Sequence, residues 1–407
     1  MSIEKRAFKG AFSLSLLKAI DYIVPLVLVP YVIHVLGLEF YGEYAYIQVI
    51  AIFLAFAADY SLPTVGVQNI SKRKSRAYIN DYVSSLVIFK LFNVLVITII
   101  LLCIILIFGI KIDVLEWCGF FIYLGLSIQN HWLYQSFEKY KPLIIFSGTS
   151  RFACLVITPF LVRTAEDQNE FLSIQALMYF LPGILSLVYY FYNFSYTKVK
   201  ARYIYHIMKE GFYVFQYRII NAAVLPINNQ VIVMYADTKT LGVYNLIMKG
   251  LSALVNFITP LSLSVQPILA EMKSKSAKDL ALFFNNTQNK ILFISSILTA
   301  ILCVSLIMYL SYYNEMGDDN SLYILTGVLS LTLIPHGLNG LYSQTLNLFG
   351  NSKFVRNVIL FVSLFSLSIL PIMVMQMQAV GIAFVNFFMY FTMLILMFFK
   401  LGKNFEK

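Results

Sequence analysis

The stretch that decides the fold is FSLSLLKAIDYIVPLVLVPYVI, residues 12–33, followed after a short turn by GEYAYIQVIAIFLAFAADYSLPTVGVQ, residues 42–68. Each is an apolar run long enough to cross about 30 Å of hydrocarbon as an α-helix. Each also carries ionisable groups well inside it, Lys18 and Asp21 in the first and Asp59 in the second. A charge at that depth costs roughly 3 kcal/mol on insertion scales, so it is expected to face a bundle interior or a water-filled cavity. Two such helices in succession imply a passage through a membrane.

The remainder of the 407 residues repeats the pattern. Hydrophobic residues make up 59% and charged residues 12%, with a mean hydropathy of +0.77, where globular chains carry about 25% charge. Twelve apolar runs appear, at roughly 11–33, 42–68, 83–110, 118–137, 143–163, 171–193, 211–235, 242–268, 291–313, 323–348, 355–376 and 379–400. The expected fold class is an all-α polytopic membrane protein of twelve transmembrane helices. Prolines inside several runs, among them Pro159, Pro182, Pro226, Pro260, Pro335 and Pro371, bend helices while neighbours satisfy the freed backbone. Cys103, Cys118, Cys154 and Cys303 lack metal-ligand spacing and read as small core residues.

Charge sets the orientation. The N-terminal tail, the even-numbered loops and the C-terminus carry 22 of the 30 Lys and Arg residues, including Lys72, Arg73, Lys74 and Arg76. The opposite loops carry three, Lys111, Arg163 and Lys239, beside acids such as Asp167, Asp318 and Asp319. Both termini are therefore expected in the cytoplasm, and the net charge of +10 needs no nucleic acid to explain it. The first run is too long and too polar, with Lys18 and Asp21, for a signal peptide.

The twelve runs divide six and six, giving expected lobes 1–200 and 201–407. A shift of 200 residues lays Lys18 on Arg218, Asp21 on Asn221, Gly42 on Gly242 and Tyr44 on Tyr244. Six helices per half is an even number, so both halves start on the same side and are related by a pseudo-twofold axis along the membrane normal. Substrate is then expected between the lobes.

Pro30-Tyr31 to Gly37, Tyr41-Gly42-Glu43-Tyr44 and Asp59-Tyr60-Ser61-Leu62 resemble the beginning of the Wzx O-antigen flippases and related polysaccharide exporters of the multidrug/oligosaccharidyl-lipid/polysaccharide superfamily. Trp132 to Glu138 and Gln344 to Gly350 are similar to patterns recurring in that family, although Ser61 and Ser136 stand where glycine is common. The resemblance implies two six-helix lobes around a cationic lumen, in a bacterial inner membrane. The substrate it implies is an undecaprenyl-diphosphate-linked oligosaccharide carried from the cytoplasmic to the periplasmic leaflet, beside a polymerase and a chain-length regulator.

The charges inside the runs are read independently of that resemblance. Five cations lie there: Lys18, Lys90, Arg151, Arg218 and Lys249. The first four lie about 10 to 12 Å from the cytoplasmic ends at 1.5 Å per residue, and Lys249 lies nearer the other side. Such a layer replaces the hydration shell of a diphosphate, and an Arg fork binds its oxygens in bidentate fashion. The competing use is snorkelling of the cations to the interface. Asp21 and Asp59 pair with Lys18 or carry a proton, and Asn221 occupies the repeated position one turn beyond Arg218. These eight residues are the candidate substrate site. No nucleotide-binding, metalloprotease or nucleophile motif appears, and no loop is large enough for a soluble catalytic domain, so neither enzyme chemistry nor a cofactor is expected. A coupling ion, proton or sodium, stays open. The alternatives are a multidrug exporter of the same superfamily, which would favour an acidic lumen, and a membrane-embedded polymerase or acyltransferase.

Overall fold

The computed structural model describes residues 24–71, 76–137, 139–194, 196–273, 277–312 and 320–405. Lys18 and Asp21 lie outside the described residues. The described residues are helical, without strands: α1 (Val24–Leu36), α2 (Leu38–Ala58), a π-helical turn (Leu62–Gly66), α3 (Val67–Ser71), α4 (Arg76–Phe108), α5 (Val114–Ile128), α6 (His131–Ser136), α7 (Tyr140–Leu161), α8 (Gln168–Asn193), α9 (Ala201–Tyr235), α10 (Thr238–Lys273), α11 (Ala277–Tyr312), α12 (Asn320–Leu331), α13 (Leu333–Leu348), α14 (Ser352–Met377) and α15 (Ala379–Phe405).

Nine described helices or helix pairs are long and apolar enough to cross a membrane. The other three of the twelve apolar runs are helical in their described parts. One is α1, which is short in its described part. One is α5–α6, interrupted at Gln129–Asn130. The last is α9, which carries Arg202, His206, Lys209, Glu210 and Arg218. The protein is a multi-pass membrane protein. Its lipid-facing surface is clearest on α4, where Phe92, Leu95, Ile99, Ile100, Leu106 and Phe108 are exposed. Such a surface suits hydrocarbon and would cost solubility in water.

Three runs expected as single helices are broken, the tenth only by a turn at Thr332 between α12 and α13. The second ends at Ala58, turns through Asp59 and Tyr60, whose φ is 51°, and resumes as the π-helical turn. A non-glycine residue in the left-handed region is strained, and the surrounding contacts hold it there. The Tyr60 hydroxyl donates to the Met208 carbonyl at 3.0 Å, and its ring stacks on Phe215 with centroids 4.5 Å apart. The fourth run breaks where Gln129 becomes extended.

The chain forms two compact units, one of residues 1–37 and 44–226, the other of residues 38–43 and 227–407. The boundary between these compact units lies after Pro226, inside α9. The physical reason is that the connection before α9 is fastened to α4. The Ser84 and Ser85 hydroxyls accept the Thr197 and Lys200 backbone N–H groups at 3.2 and 2.9 Å, and Lys200 pairs with Asp81. Tyr203 and Ile207 then enter the core of the first unit with Leu62, Tyr82, Leu86, Trp132 and Leu133.

In the second unit, the first turn of α2 crosses the first turn of α10. A Cβ on Gly42 would lie 2.6 Å from the Thr238 carbonyl oxygen, and one on Gly242 would lie 2.5 Å from that of Leu38. Thr238 stands 200 residues from Leu38, as Gly242 stands from Gly42, so the contact is reciprocal about the repeat noticed in the sequence. Small residues that bring backbones this close are how helices associate where water supplies no driving force.

Candidate functional site

The candidate residues separate into three settings. In the first unit, Lys90 is only 1% exposed and its Nζ lies 2.6 Å from Asp59 Oδ1. The same ammonium donates to the Gln129 carbonyl at 2.7 Å. Asp59 therefore pairs with Lys90 on α4, while the pairing with Lys18 suggested by the sequence falls outside the described residues. The break that frees the Gln129 carbonyl creates the acceptor.

Arg151, on α7 and also buried, places its guanidinium 5.7 Å from the centre of the Tyr179 ring on α8. His131 lies within electrostatic range of both Lys90 and Arg151. The neighbouring Gln129 side chain donates to Ser147 Oγ at 3.0 Å, and the Asn130 backbone N–H donates to Ser186 Oγ at 3.3 Å. The interruption in the fourth run is thus the polar centre of this unit.

Arg218 lies half-buried on α9 with its guanidinium 4.5 Å from the centre of the Phe56 ring on α2. Such stacking suits Arg, whose delocalised charge is weakly hydrated. Asn221, one turn on, is exposed.

In the second unit, Lys249 is half-buried on α10 with its ammonium 5.6 Å from the centre of the Tyr41 ring. Behind it runs a neutral amide network. Asn228 donates to the Tyr244 hydroxyl at 2.8 Å and to Asn386 Oδ1 at 3.1 Å, and Asn229 and Asn245 exchange side-chain hydrogen bonds at 3.1 and 3.3 Å. Tyr44, the 200-residue counterpart of Tyr244, is likewise buried in amide contacts in the first unit. It donates to Gln175 Oε1 at 2.8 Å and accepts from Gln48 at 2.7 Å.

The structure thus brings Asp59 and Lys90 together and holds Arg151, Arg218 and Lys249 on aromatic faces. Sequence reasoning missed Asn93, Tyr60, Asn245 and Asn386. For Asn93 a signal existed, since it follows Lys90 by three residues and shares its helix face. Among the described residues, no group of three or more His, Cys, Asp or Glu side chains is placed to hold a metal ion.

A family described as polysaccharide biosynthesis protein matches residues 7–273, well over half of the chain. The chain belongs to this family. Two curated relatives of the polysaccharide biosynthesis protein chain carry the name "Putative O-antigen transporter". One, from Shigella dysenteriae, is 26% identical over 181 residues, 44% of this chain and 46% of that protein, so the match spans about half its length. The other, from Escherichia coli (strain K12), is 24% identical over 340 residues, 81% of this chain and 75% of that protein. Among solved structures, the lipid II flippase MurJ in its inward closed conformation is similar with a TM-score of 0.66 at 13% identity, covering 97% of this chain and 87% of that one. An inward-facing multidrug resistance MATE transporter of the MOP superfamily gives 0.65 at 11% identity, covering 94% and 98%. At these identities the likeness establishes a shared fold.

Proposed function

We propose that this member of the polysaccharide biosynthesis family is a transporter that flips a polyprenyl-diphosphate-linked oligosaccharide, an O-antigen-like repeat unit. Movement is from the cytoplasmic to the periplasmic leaflet of a bacterial inner membrane, by alternating access. The chain crosses twelve times in two six-helix halves, with both termini cytoplasmic. The reciprocal Gly42–Gly242 contact supports the internal repeat behind that count.

The observation that carries the reading is the sign of the charge kept at membrane depth. Among the described residues, Lys90 and Arg151 are buried and Lys249 half-buried in apolar helices, Arg218 is half-buried on α9, and Asp59 is paired with Lys90. A diphosphate headgroup entering a low-dielectric passage needs such cations, whereas a cationic drug would be repelled by them. The same observation favours the lipid-linked anion over the drug-export alternative, although MATE transporters share the fold. Lys18 and Arg218 receive the diphosphate on the cytoplasmic side, Asn221 and Asp21 support them, and turnover draws on a proton or sodium gradient. A polymerase and a chain-length regulator take over the flipped product.

The test is complementation of a flippase-null strain. Lys18→Arg and Arg218→Lys retain part of polysaccharide export, whereas Lys18→Ala and Arg218→Ala lose most of it and leave lipid-linked oligosaccharide on the cytoplasmic leaflet. Full complementation by well-inserted alanine variants at both sites would overturn the assignment in favour of snorkelling cations.

A further inference from the structure

Two apolar runs of the first unit are interrupted within their length, α2 ending after Ala58 and α5 after Ile128. Irregular backbone there survives only where the protein satisfies the freed groups or where it lines a cavity. One face of α4 meets both interruptions. Asn93 donates from Nδ2 to the Ala58 carbonyl at 3.2 Å. Lys90, three residues earlier and on the same face, donates from Nζ to the Gln129 carbonyl at 2.7 Å and lies 2.6 Å from Asp59 Oδ1. Through α4, a continuous helix of 33 residues, the two broken helices share one support.

We propose that Lys90 is a positioning residue, whose ammonium holds the interrupted ends of α2 and α5 in mutual register without touching the transported headgroup. Of its three donors one is directed at the Gln129 carbonyl, and the Asp59 carboxylate sits against the same ammonium as its ion-pair partner. With 1% of the side chain exposed, a diphosphate would have to displace both partners to reach it. It would also have to approach the Asp59 carboxylate, which repels it. The other described candidate cations are placed differently: Arg151, Arg218 and Lys249 lie over aromatic rings, with centroid distances of 5.7, 4.5 and 5.6 Å. In this respect the assignment rests on the transport reading and narrows it, since it removes Lys90 from the headgroup site and gives it the task of shaping that site.

The experiment uses the full chain in proteoliposomes, with a fluorescent undecaprenyl-diphosphate-linked disaccharide as probe. Rates are normalised to folded protein, and Tm is measured on the same preparations in detergent. Lys90→Met is expected to lower Tm and to cut the maximal flipping rate at least tenfold, with KM within twofold of wild type. Lys90→Arg, which keeps the charge and the donors, retains at least a third of the rate. In Lys90→Met/Asp59→Asn no buried charge is orphaned, so Tm recovers. The rate nevertheless stays at least fivefold low, because the Gln129 carbonyl has lost its donor. A tenfold rise in KM for Lys90→Met would overturn the proposal in favour of headgroup contact. A rate that recovers along with Tm in the double variant would reduce Lys90 to a structural group, and a Tm that fails to recover would deny the pairing. If wild type moved no probe, the transport reading would fail on its own, and the Tm cycle would still decide the pairing.

Discussion

Replacing Gly242 with alanine puts a methyl group 2.5 Å from the Leu38 carbonyl oxygen and 2.9 Å from Leu38 Cδ1, where ordinary contact begins at 3.4 Å. Gly42→Ala does the same on the other side, 2.6 Å from the Thr238 carbonyl oxygen and 2.9 Å from the Gly242 backbone nitrogen. Backbone atoms cannot rotate away, so the first turns of α2 and α10 must part by about 1 Å. A gap of that size forfeits a quarter to a half of each dispersion contact along the crossing. Overpacking of this kind costs about 1–3 kcal/mol. The reciprocity of the contact adds a sharper expectation. Once one alanine has parted the helices, the second finds room already made, so Gly42→Ala/Gly242→Ala costs less than the sum of the single changes. Gly327→Ala and Gly402→Ala serve as controls, because nothing lies within 4 Å of the added carbon. In a helix they should be neutral or gain up to about 1 kcal/mol. The assay is thermal unfolding of the purified protein in detergent. If Gly242→Ala melted with Gly402→Ala, or if the double change were additive, the close reciprocal crossing would be refuted.

Other expectations follow from single groups. Asp59→Asn should impair export more than Asp81→Asn. The first leaves Lys90 buried without its carboxylate, at about 3 kcal/mol, while the second breaks a half-exposed pair with Lys200 worth under about 1 kcal/mol; equal export at equal expression would refute this. In the turn before α8, the Arg163 and Thr164 backbone N–H groups and the Thr164 hydroxyl donate to Asp167 Oδ2 and hold its carboxyl below the usual carboxylate range. A depressed folded-state pKa contributes stability above the unfolded value, lost as pH falls through the folded one. Proteolytic nicking of residues 162–168 should therefore rise only below about pH 4, and Asp167→Ala should show it at neutral pH. Reporter fusions should be active in the cytoplasm at Ser75 and in the periplasm at Asp318, and the reverse at either site would overturn the orientation.

Much of this was legible in the sequence because hydrocarbon imposes a simple code of length and apolarity. Nine of the apolar runs lie on described helices long and apolar enough to cross a membrane, and Gly42 and Gly242, 200 residues apart, pack against each other. The interruptions were not legible. Nothing in the apolarity of 42–68 announces that Tyr60 adopts a φ of 51°, since that conformation is imposed by Met208 and Phe215, some 150 residues away. That Lys90 pairs with Asp59 was not legible for the same reason, because charge pairing across helices depends on rotation about each helix axis, which depth along the sequence does not report. Composition likewise does not report that Ser84, Ser85 and Asp81 fasten the connection before α9, which reads in sequence as a linker.

That fastening has a consequence for how the protein is made. The repeated sequence begins anew at residue 201, yet Ala201 to Pro226 belongs to the packing of the first unit, where Tyr203 and Ile207 fill its core. The genetic repeat and the folding unit are therefore different partitions of one chain. During synthesis, at roughly 5–20 residues per second, the first unit must wait roughly 1 to 5 s after Lys200 is joined before its last helical segment exists. Until then the faces of α3, α4 and α6 that receive α9 stand open in the bilayer, a natural place for an insertase or membrane chaperone to hold the nascent protein. Fragments cut at residue 200 should accordingly be poor separate folders and good partners for one another.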